Sequence, residues 1–122
     1  MARNKFGARK VTVDGITFDS LAESKYYQQL KWLKQAKQIK DFKLQPRYIL
    51  QEGFKKNGKT FRSIVYKADF EVYKLDGTVE IVDVKGKITK EFAIKRKLFE
   101  RKYLNSITLL KYDKKTGFVE MK

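Results

Sequence analysis

Two aspartates and a lysine stand close together in the middle of the chain. Asp69 is followed, after 13 intervening residues, by Asp83, Val84 and Lys85. The chain has no histidine and no cysteine, which excludes zinc–thiolate sites, cysteine nucleophiles and serine–histidine pairs. Acid–base or metal chemistry must therefore use Asp, Glu, Lys and Tyr. Metals held by carboxylates are usually Mg²⁺, Mn²⁺ or Ca²⁺.

The net charge points to a polyanionic partner. Lys and Arg number 29 against 14 Asp and Glu, which leaves a formal charge of +15 on 122 residues. Nucleic acid is the first candidate and an anionic membrane surface the second. The basic residues are spread along the whole chain without a terminal amphipathic helix, which disfavours the membrane surface. Paired acids and a lysine on such a scaffold suggest metal-dependent cleavage of a phosphodiester backbone.

A β-hairpin is predicted to bring these residues together. Its strands run from Phe61 to Tyr73 and from Val79 to Lys85, and the number of residues in the turn decides the register. With a two-residue turn, Asp69 would lie opposite Val84 and face away from Asp83. With a three-residue turn that ends in a left-handed Gly77, Asp69 lies opposite Asp83.

Packing favours the three-residue turn. One face then carries Asp69, Glu71, Asp83 and Lys85, and the other carries the apolar row Phe70, Val72, Val82 and Val84. Like charges that face each other are unfavourable unless a positive charge lies between them, and a divalent cation would supply it. The alternative is a pair of surface aspartates balanced by lysines.

Glu23 is a further candidate because of its position on a predicted helix from Ser20 to about Gln38. Ser20 and Glu23 have the spacing of a capping box, which by itself explains this glutamate. Yet Glu23 lies within about 20° of Leu30 on the stripe that is predicted to be buried. An inward glutamate near a helix start either pairs with a buried cation or approaches a metal.

The remaining pattern predicts one α/β domain, residues 11–122, after a basic arm at residues 1–10. The arm holds Arg3 and Lys5, and it either folds onto phosphates or is a solvated terminus. Further expected elements are a hairpin at 11–18, a strand at 42–50 with Pro46 at an edge or bulge, a loop at 51–60, a helix at 90–103, a strand at 107–112 and a short tail. The order αβββαβ predicts a mixed sheet flanked by two helices, with a crossover that makes strands 79–85 and 107–112 parallel.

The sequence resembles the PD-(D/E)XK nuclease superfamily, whose core is restriction-endonuclease-like. The likeness covers about residues 11–112 and rests on Asp69, on Asp83-Val84-Lys85-Gly86, on Glu23 and on the order of elements. Three segments further resemble small phage-encoded proteins similar to four-way (Holliday) junction resolvases: Phe18 to Leu50, the strand Ala68-Asp69-Phe70, and Val84 to Thr89. Ala68 departs from the superfamily pattern, which expects proline at this structural and variable position.

The resemblance implies a Mg²⁺ site, with Mn²⁺ able to substitute and no small-molecule cofactor. Asp69, Asp83 and the Val84 carbonyl would be ligands, and Glu23 would bind directly or through water. Lys85 would orient the attacking water or stabilise charge on the phosphate. The implied activity is endonucleolytic cleavage of DNA, branched or duplex, by a homodimer. The implied location is the cytoplasm, which would be the cytoplasm of a bacterial host if the gene is carried by a phage.

The second helix extends the expected DNA-binding surface. Residues 85–102 hold eight basic residues against two glutamates, and Lys87, Lys90, Lys95 and Arg96 are the expected phosphate contacts, together with Arg3 and Lys5. A solvated helix face is the alternative. Two other functions stay open, a non-catalytic basic nucleic-acid-binding protein on the same fold and a virion or assembly component that neutralises packaged nucleic acid.

Overall fold

The structure, a computed structural model, describes residues 9–121, so Arg3, Lys5 and most of the predicted arm lie outside the described residues. The helices are α1 (Leu21–Gln35) and α2 (Lys90–Lys102). The strands are β1 (Val11–Val13), β2 (Ile16–Phe18), β3 (Asp41–Leu44), β4 (Arg47–Gln51), β5 (Phe54–Lys56), β6 (Lys59–Phe61), β7 (Ile64–Lys67), β8 (Phe70–Tyr73), β9 (Val79–Val84), β10 (Ile107–Asp113) and β11 (Gly117–Met121). Neither helix in this range has the length and apolar character of a membrane span.

A five-stranded mixed sheet forms the centre of the molecule. Its strand order is β11-β10-β9-β8-β3. Strands β9 and β10 are parallel, and α2 connects them, whereas every other pair in the sheet is antiparallel. The predicted mixed sheet with flanking helices and the predicted parallel neighbours are therefore confirmed.

The two faces of the sheet bury two separate apolar clusters. Val82 and Val84 of β9 pack with Tyr26, Tyr27 and Leu30 of α1. The alternate residue Ile81 packs with Phe92 and Phe99 of α2. Because successive side chains of a strand point to opposite faces, α1 and α2 lie on opposite sides of β9. Burial on both faces also explains why β9 reads as a nearly continuous apolar run.

Strands β3 to β8 form one long antiparallel ribbon. Residues 41–44 pair with 70–73, and residues 47–49 pair with 65–67, in the same register. Between these segments the N–H of Gln45 donates to the carbonyl of Asp69 at 2.9 Å, and the N–H of Ala68 donates to the carbonyl of Pro46 at 3.0 Å. Gln45 has a left-handed φ of 50°. The break expected at Pro46 is thus real, and it splits the predicted strand 42–50 into β3 and β4.

The side chains of the ribbon that are buried change from one side of the sheet to the other at Asp69. Tyr66 and Ala68 pack in the cluster below α2, whereas Phe70 and Val72 pack in the cluster below α1. Regular alternation would keep these four side chains on one face. The irregular pair Gln45 and Asp69 therefore marks the point where the ribbon passes from one side of the core to the other.

Several predicted boundaries were wrong. The strand expected from Phe61 to Tyr73 is divided among the end of β6, β7 and β8, because the chain is irregular at residues 62–63 and 68–69. The loop expected at 51–60 contains the hairpin β5–β6, because Asn57 and Gly58 both have left-handed φ angles and form a tight turn. The expected C-terminal tail is the edge strand β11, which pairs with β10. Helix α1 ends at Gln35 because Lys37 has a left-handed φ of 61° and its N–H caps the carbonyl of Lys34.

Candidate active site

The register of the hairpin β8–β9 brings Asp69 beside Asp83. Phe70 pairs with Val82, and the preceding residue, Asp69, donates its N–H to the carbonyl of Val82 at 3.2 Å, next to Asp83. At the other end Lys74 pairs with Thr78 across a loop of three residues, in which Gly77 has a left-handed φ of 89°. The three-residue turn that packing favoured is therefore confirmed.

Asp83 is held by two neighbouring side chains at the end of β9. It is 2% exposed, and its Oδ2 accepts a hydrogen bond of 2.5 Å from the hydroxyl of Tyr66. Its Oδ1 lies 3.4 Å from Nζ of Lys85. A buried charge is tolerated when it is paired and hydrogen-bonded in this way. The carboxylate is thus fixed in position before any ligand arrives.

Asp69 is fixed by the backbone of the neighbouring strand. The N–H of Val84 donates to its Oδ2 at 2.8 Å. Burial first, and then the negative charges of Asp83 and Glu23, raise the pKa of the Asp69 carboxyl to about 9, and a hydrogen bond between the two aspartates adds to this rise. Without a cation, burial and these neighbouring charges therefore favour the protonated form of Asp69 at neutral pH.

Glu23 approaches this pair from the first turn of α1. Ser20 caps the helix and accepts a hydrogen bond of 3.1 Å from the N–H of Glu23, as predicted. The Glu23 side chain is half-buried and lines a cleft of about 110 Å³ together with Asp69, Gln45 and Phe18. Burial, followed by the charges of Asp19 and Asp83, raises the pKa of Glu23 to about 7.

Lys85 places a cation at the mouth of the site. Its side chain is 29% exposed, in contrast to the buried Asp83 with which it pairs. Its Nζ also lies 4.5 Å from the ring centroid of Phe92, the first buried residue of α2. The ion pair and the cation–π contact together hold the ammonium group beside Asp83 while solvent can still reach it.

Two of the acidic residues have the chemistry of metal ligands. Within residues 9–121 no group of three or more acidic side chains is placed so that it could hold a metal ion. Mg²⁺ commonly uses one or two carboxylates and keeps several waters, so Asp69 and Asp83 supply a sufficient protein donor set. The positive charge of a divalent cation held by these carboxylates would favour the ionised form of Asp69. The chemistry of the residues thus fits Mg²⁺ or Mn²⁺.

Tyr66 was not singled out from the sequence. In a regular strand its side chain, three residues before Asp69, would face away from that aspartate, so no sequence pattern pointed to it. Glu71 pairs with Ile81 and so lies on the strand face predicted for it. Glu71 does not join the aspartates. Its carboxylate instead accepts hydrogen bonds from the hydroxyls of Tyr48 and Tyr73.

The basic residues predicted to bind DNA have different environments. Lys87 and Lys90 are exposed between Lys85 and the first turn of α2. Lys95 pairs with Glu91 at 3.7 Å, and half-buried Arg96 lines a shallow groove of α2. Lys87 and Lys90 therefore continue the positive charge of Lys85 outward, whereas Lys95 is partly neutralised.

Comparison with known proteins gives a family for this chain. No curated protein and no solved structure has a significant match to it. A family model described as "Protein of unknown function (DUF1064)" matches residues 3–116. These residues include Glu23, Asp69, Asp83, Lys85 and both helices. Because the match extends over nearly the whole sequence, the chain belongs to the DUF1064 family.

Proposed function

We propose that this protein is a Mg²⁺-dependent endodeoxyribonuclease that hydrolyses phosphodiester bonds, with a preference for branched DNA such as four-way (Holliday) junctions. The observation that carries the proposal is the contact between the buried Asp83, which is paired with Lys85, and the half-buried Asp69, on a chain of net charge +15. Like charges held together away from water are costly, and carboxyl groups perturbed in this way cluster at functional sites.

Asp69, Asp83 and the Val84 carbonyl would hold the metal, with Glu23 bound directly or through water. Bound Mg²⁺ would polarise the phosphoryl oxygen and lower the pKa of a bound water. Val84 N–H and the Tyr66 hydroxyl fix the two aspartates, so little reorganisation is needed when a cation is captured. Glu23, whose pKa is near neutrality, could accept a proton from water in the same cleft.

Lys85 would act on the substrate. Its ammonium group is held beside Asp83 and remains partly exposed, so it can contact a non-bridging phosphate oxygen or the attacking water. Lys87 and Lys90 follow directly in the chain and would contact neighbouring phosphates, with Lys95 and Arg96 further along α2. The positioned acids and the line of cations together define a path for one DNA strand.

The preference for branched DNA and the homodimer rest on the resemblance to junction resolvases. Symmetric cutting of two strands needs two active sites, which a twofold dimer supplies. The protein would act in the cytoplasm, that of a bacterial host if the gene is carried by a phage. A second candidate, a non-catalytic nucleic-acid-binding protein, is favoured by the net charge alone, because charge explains binding without the aspartate pair.

The test is cleavage of a labelled synthetic four-way junction beside a flap and a linear duplex of the same sequence, each with Mg²⁺ and with EDTA. We expect cutting in Mg²⁺ and none in EDTA, with the junction cut fastest. Equal cutting of all three would remove the structural preference. DNA binding without cutting in Mg²⁺ or Mn²⁺ would overturn the nuclease proposal in favour of the binding protein.

A further inference from the structure

The distal hairpin β5–β6 carries a cluster of cations and aromatic rings that the proposed site does not use. We call residues 54–61 the finger. All eight residues are exposed, and Phe54 and Phe61 are 45% and 38% exposed. The finger and its flanking residues, 52–63, hold Lys55, Lys56, Lys59 and Arg62 against Glu52. An exposed apolar pair on a short hairpin is unfavourable in water unless a partner covers it.

The register places both phenylalanines on one face with two lysines. Phe54 pairs with Phe61, and their rings stack at a centroid distance of 4.9 Å and an interplanar angle of 15°. Lys56 pairs with Lys59, two residues further toward the turn and therefore on the same face. Like charges directly opposite each other are destabilising in a sheet. An anion beside the phenylalanine pair would remove this repulsion.

The base of the finger is constrained by the backbone and by α2. A Cβ atom at Gly53 would lie 3.0 Å from the carbonyl oxygen of Phe61, so a larger residue does not fit there. The carbonyl of Ile49, in β4, accepts hydrogen bonds from Nζ of Lys102 at 2.8 Å and from the hydroxyl of Tyr103 at 2.9 Å. The end of α2 thus fixes the ribbon from which the finger extends.

We propose that the finger binds DNA where the bases are unstacked, with Lys56 and Lys59 on phosphates and Phe54 and Phe61 against an exposed base face. Phosphates supply the negative charge that the lysine pair lacks, and aromatic rings bind any base through its π-face. An intact duplex hides its base faces, whereas a branch point exposes them. The proposal rests on the proposed DNA substrate, and it assigns the preference for branched DNA to this surface.

The ribbon also sets the spacing between the finger and the aspartates. Asp69 lies eight positions after Phe61 in the chain. The two residues are therefore at most about 26 Å apart along the strand, at about 3.3 Å per residue. This length equals about seven or eight base pairs at about 3.4 Å per pair. The cut should therefore fall within about eight base pairs of the branch that the finger contacts.

Binding in EDTA tests the finger without cleavage. The probes are a fluorescent four-way junction and a linear duplex of the same length and sequence. F54A/F61A is compared with the control W32A, which removes an exposed ring on α1. K56Q/K59Q is compared with the control K114Q/K115Q, which removes the same charge from the turn after β10. All four variants should fold and unfold cooperatively as wild type does, because none of the substituted side chains is buried. K56Q/K59Q should not lower the melting temperature, because it removes a pair of like charges.

The two kinds of finger variant should differ in substrate dependence. F54A/F61A should lose about tenfold or more in affinity for the junction and change by less than about twofold on the duplex. K56Q/K59Q should weaken binding to both and lower the salt slope of log K by about one to two. Wild-type behaviour of F54A/F61A on the junction, or an equal loss on both substrates, would overturn the assignment.

Cleavage by the same proteins separates the finger from the nuclease proposal. If wild type and F54A/F61A cut the junction equally in Mg²⁺, the finger assignment fails and the nuclease proposal stands. If wild type binds without cutting and F54A/F61A loses the junction preference, the finger assignment stands and the nuclease proposal fails. Absence of DNA binding by wild type would overturn both.

Discussion

Asp69 and Asp83 repel each other when both are ionised, yet their neighbours fix both in contact. Val84 N–H fixes Asp69, and the hydroxyl of Tyr66 and the ammonium group of Lys85 fix Asp83. The arrangement costs stability when no cation is present, because burial and mutual repulsion raise the pKa of Asp69. Measurements on the metal-free protein can therefore detect the site independently of any activity.

Asp69→Asn should stabilise the metal-free protein, and increasingly so as the pH rises. The pKa of Asp69 is raised from 3.8 to about 9 in the folded state. Between these pH values Asp69 is ionised in the unfolded chain but protonated in the folded protein, so the free energy of unfolding of wild type falls as the pH rises. In EDTA at pH 8 we expect a gain of about 1–3 kcal/mol in the free energy of unfolding by urea.

The same comparison in Mg²⁺ supplies the control for Asp69→Asn. Excess Mg²⁺ should stabilise wild type more than the variant, because ligands that bind only the folded state raise its stability. A variant that is less stable than wild type at all pH values, or an equal Mg²⁺ effect on both proteins, would contradict the proposed carboxylate pair.

Tyr66→Phe should weaken the site without disturbing the core. The substitution removes the hydroxyl that donates to Asp83 and keeps the ring among its apolar neighbours. Loss of a hydrogen bond to a buried charge costs about 1.5–3 kcal/mol, measurable by urea unfolding. Tyr73→Phe removes a hydroxyl from Glu71 and serves as the matched control. The cleavage rate should fall for Tyr66→Phe and not for Tyr73→Phe, and equal rates would exclude a positioning role for Tyr66.

At the scale of elements, the turn between β8 and β9 decides whether the aspartates meet. Its length could be predicted because Phe70, Val72, Val82 and Val84 form an apolar row in one register only. The inward position of Glu23 likewise followed from helical phase. The contact between Tyr66 and Asp83 could not be predicted, because the ribbon exchanges faces at Gln45 and Asp69. An irregular backbone of this kind has no periodic signature.

The finger was mistaken for a loop for a different reason. Its short strands carry lysine and threonine and bury no side chain, so no hydrophobic alternation marks them. The turn residues Asn57 and Gly58 were recognised, but a turn alone does not show that its flanking residues pair. Likewise, strand β11 has weak alternation, which is why its pairing with β10 was not expected.

Shifting the β8–β9 register should abolish activity. Deletion of Lys74, which pairs with Thr78 beside this turn, would keep the three-residue turn and shift the pairing by one residue, so that Asp69 would lie opposite Val82 and face away from Asp83. We expect cleavage to disappear. Gly77→Ala keeps the turn length and should cost only about 1–2 kcal/mol for a left-handed alanine, similar to Gly117→Ala in the turn before β11. Full activity of the Lys74 deletion in a folded protein would contradict the role of the register.

At the scale of the whole molecule, the charge of +15 predicts strongly salt-dependent DNA binding. Each phosphate contact that is lost should lower the slope of log K against log salt by about one. Lys87→Gln and Lys90→Gln should each show this change, measured by fluorescence anisotropy at several salt concentrations. Lys40→Gln is the control, because Lys40 is exposed and its N–H donates to the carbonyl of Tyr73, at the other end of β8 from Asp69. Slopes that do not differ would remove the start of α2 from the DNA path.

The central claim is that Asp69 and Asp83 form a hydrolytic centre, and the cleavage rate of a four-way junction tests it most directly. Wild type, Asp83→Asn and Asp41→Asn should be compared under single-turnover conditions in Mg²⁺. Asp41 is an exposed aspartate of β3 paired with Lys34, so its substitution removes the same charge away from the site. We predict that Asp83→Asn binds the junction and loses at least about a hundredfold in rate, while Asp41→Asn cuts like wild type. Equal rates for Asp83→Asn and wild type would contradict the account.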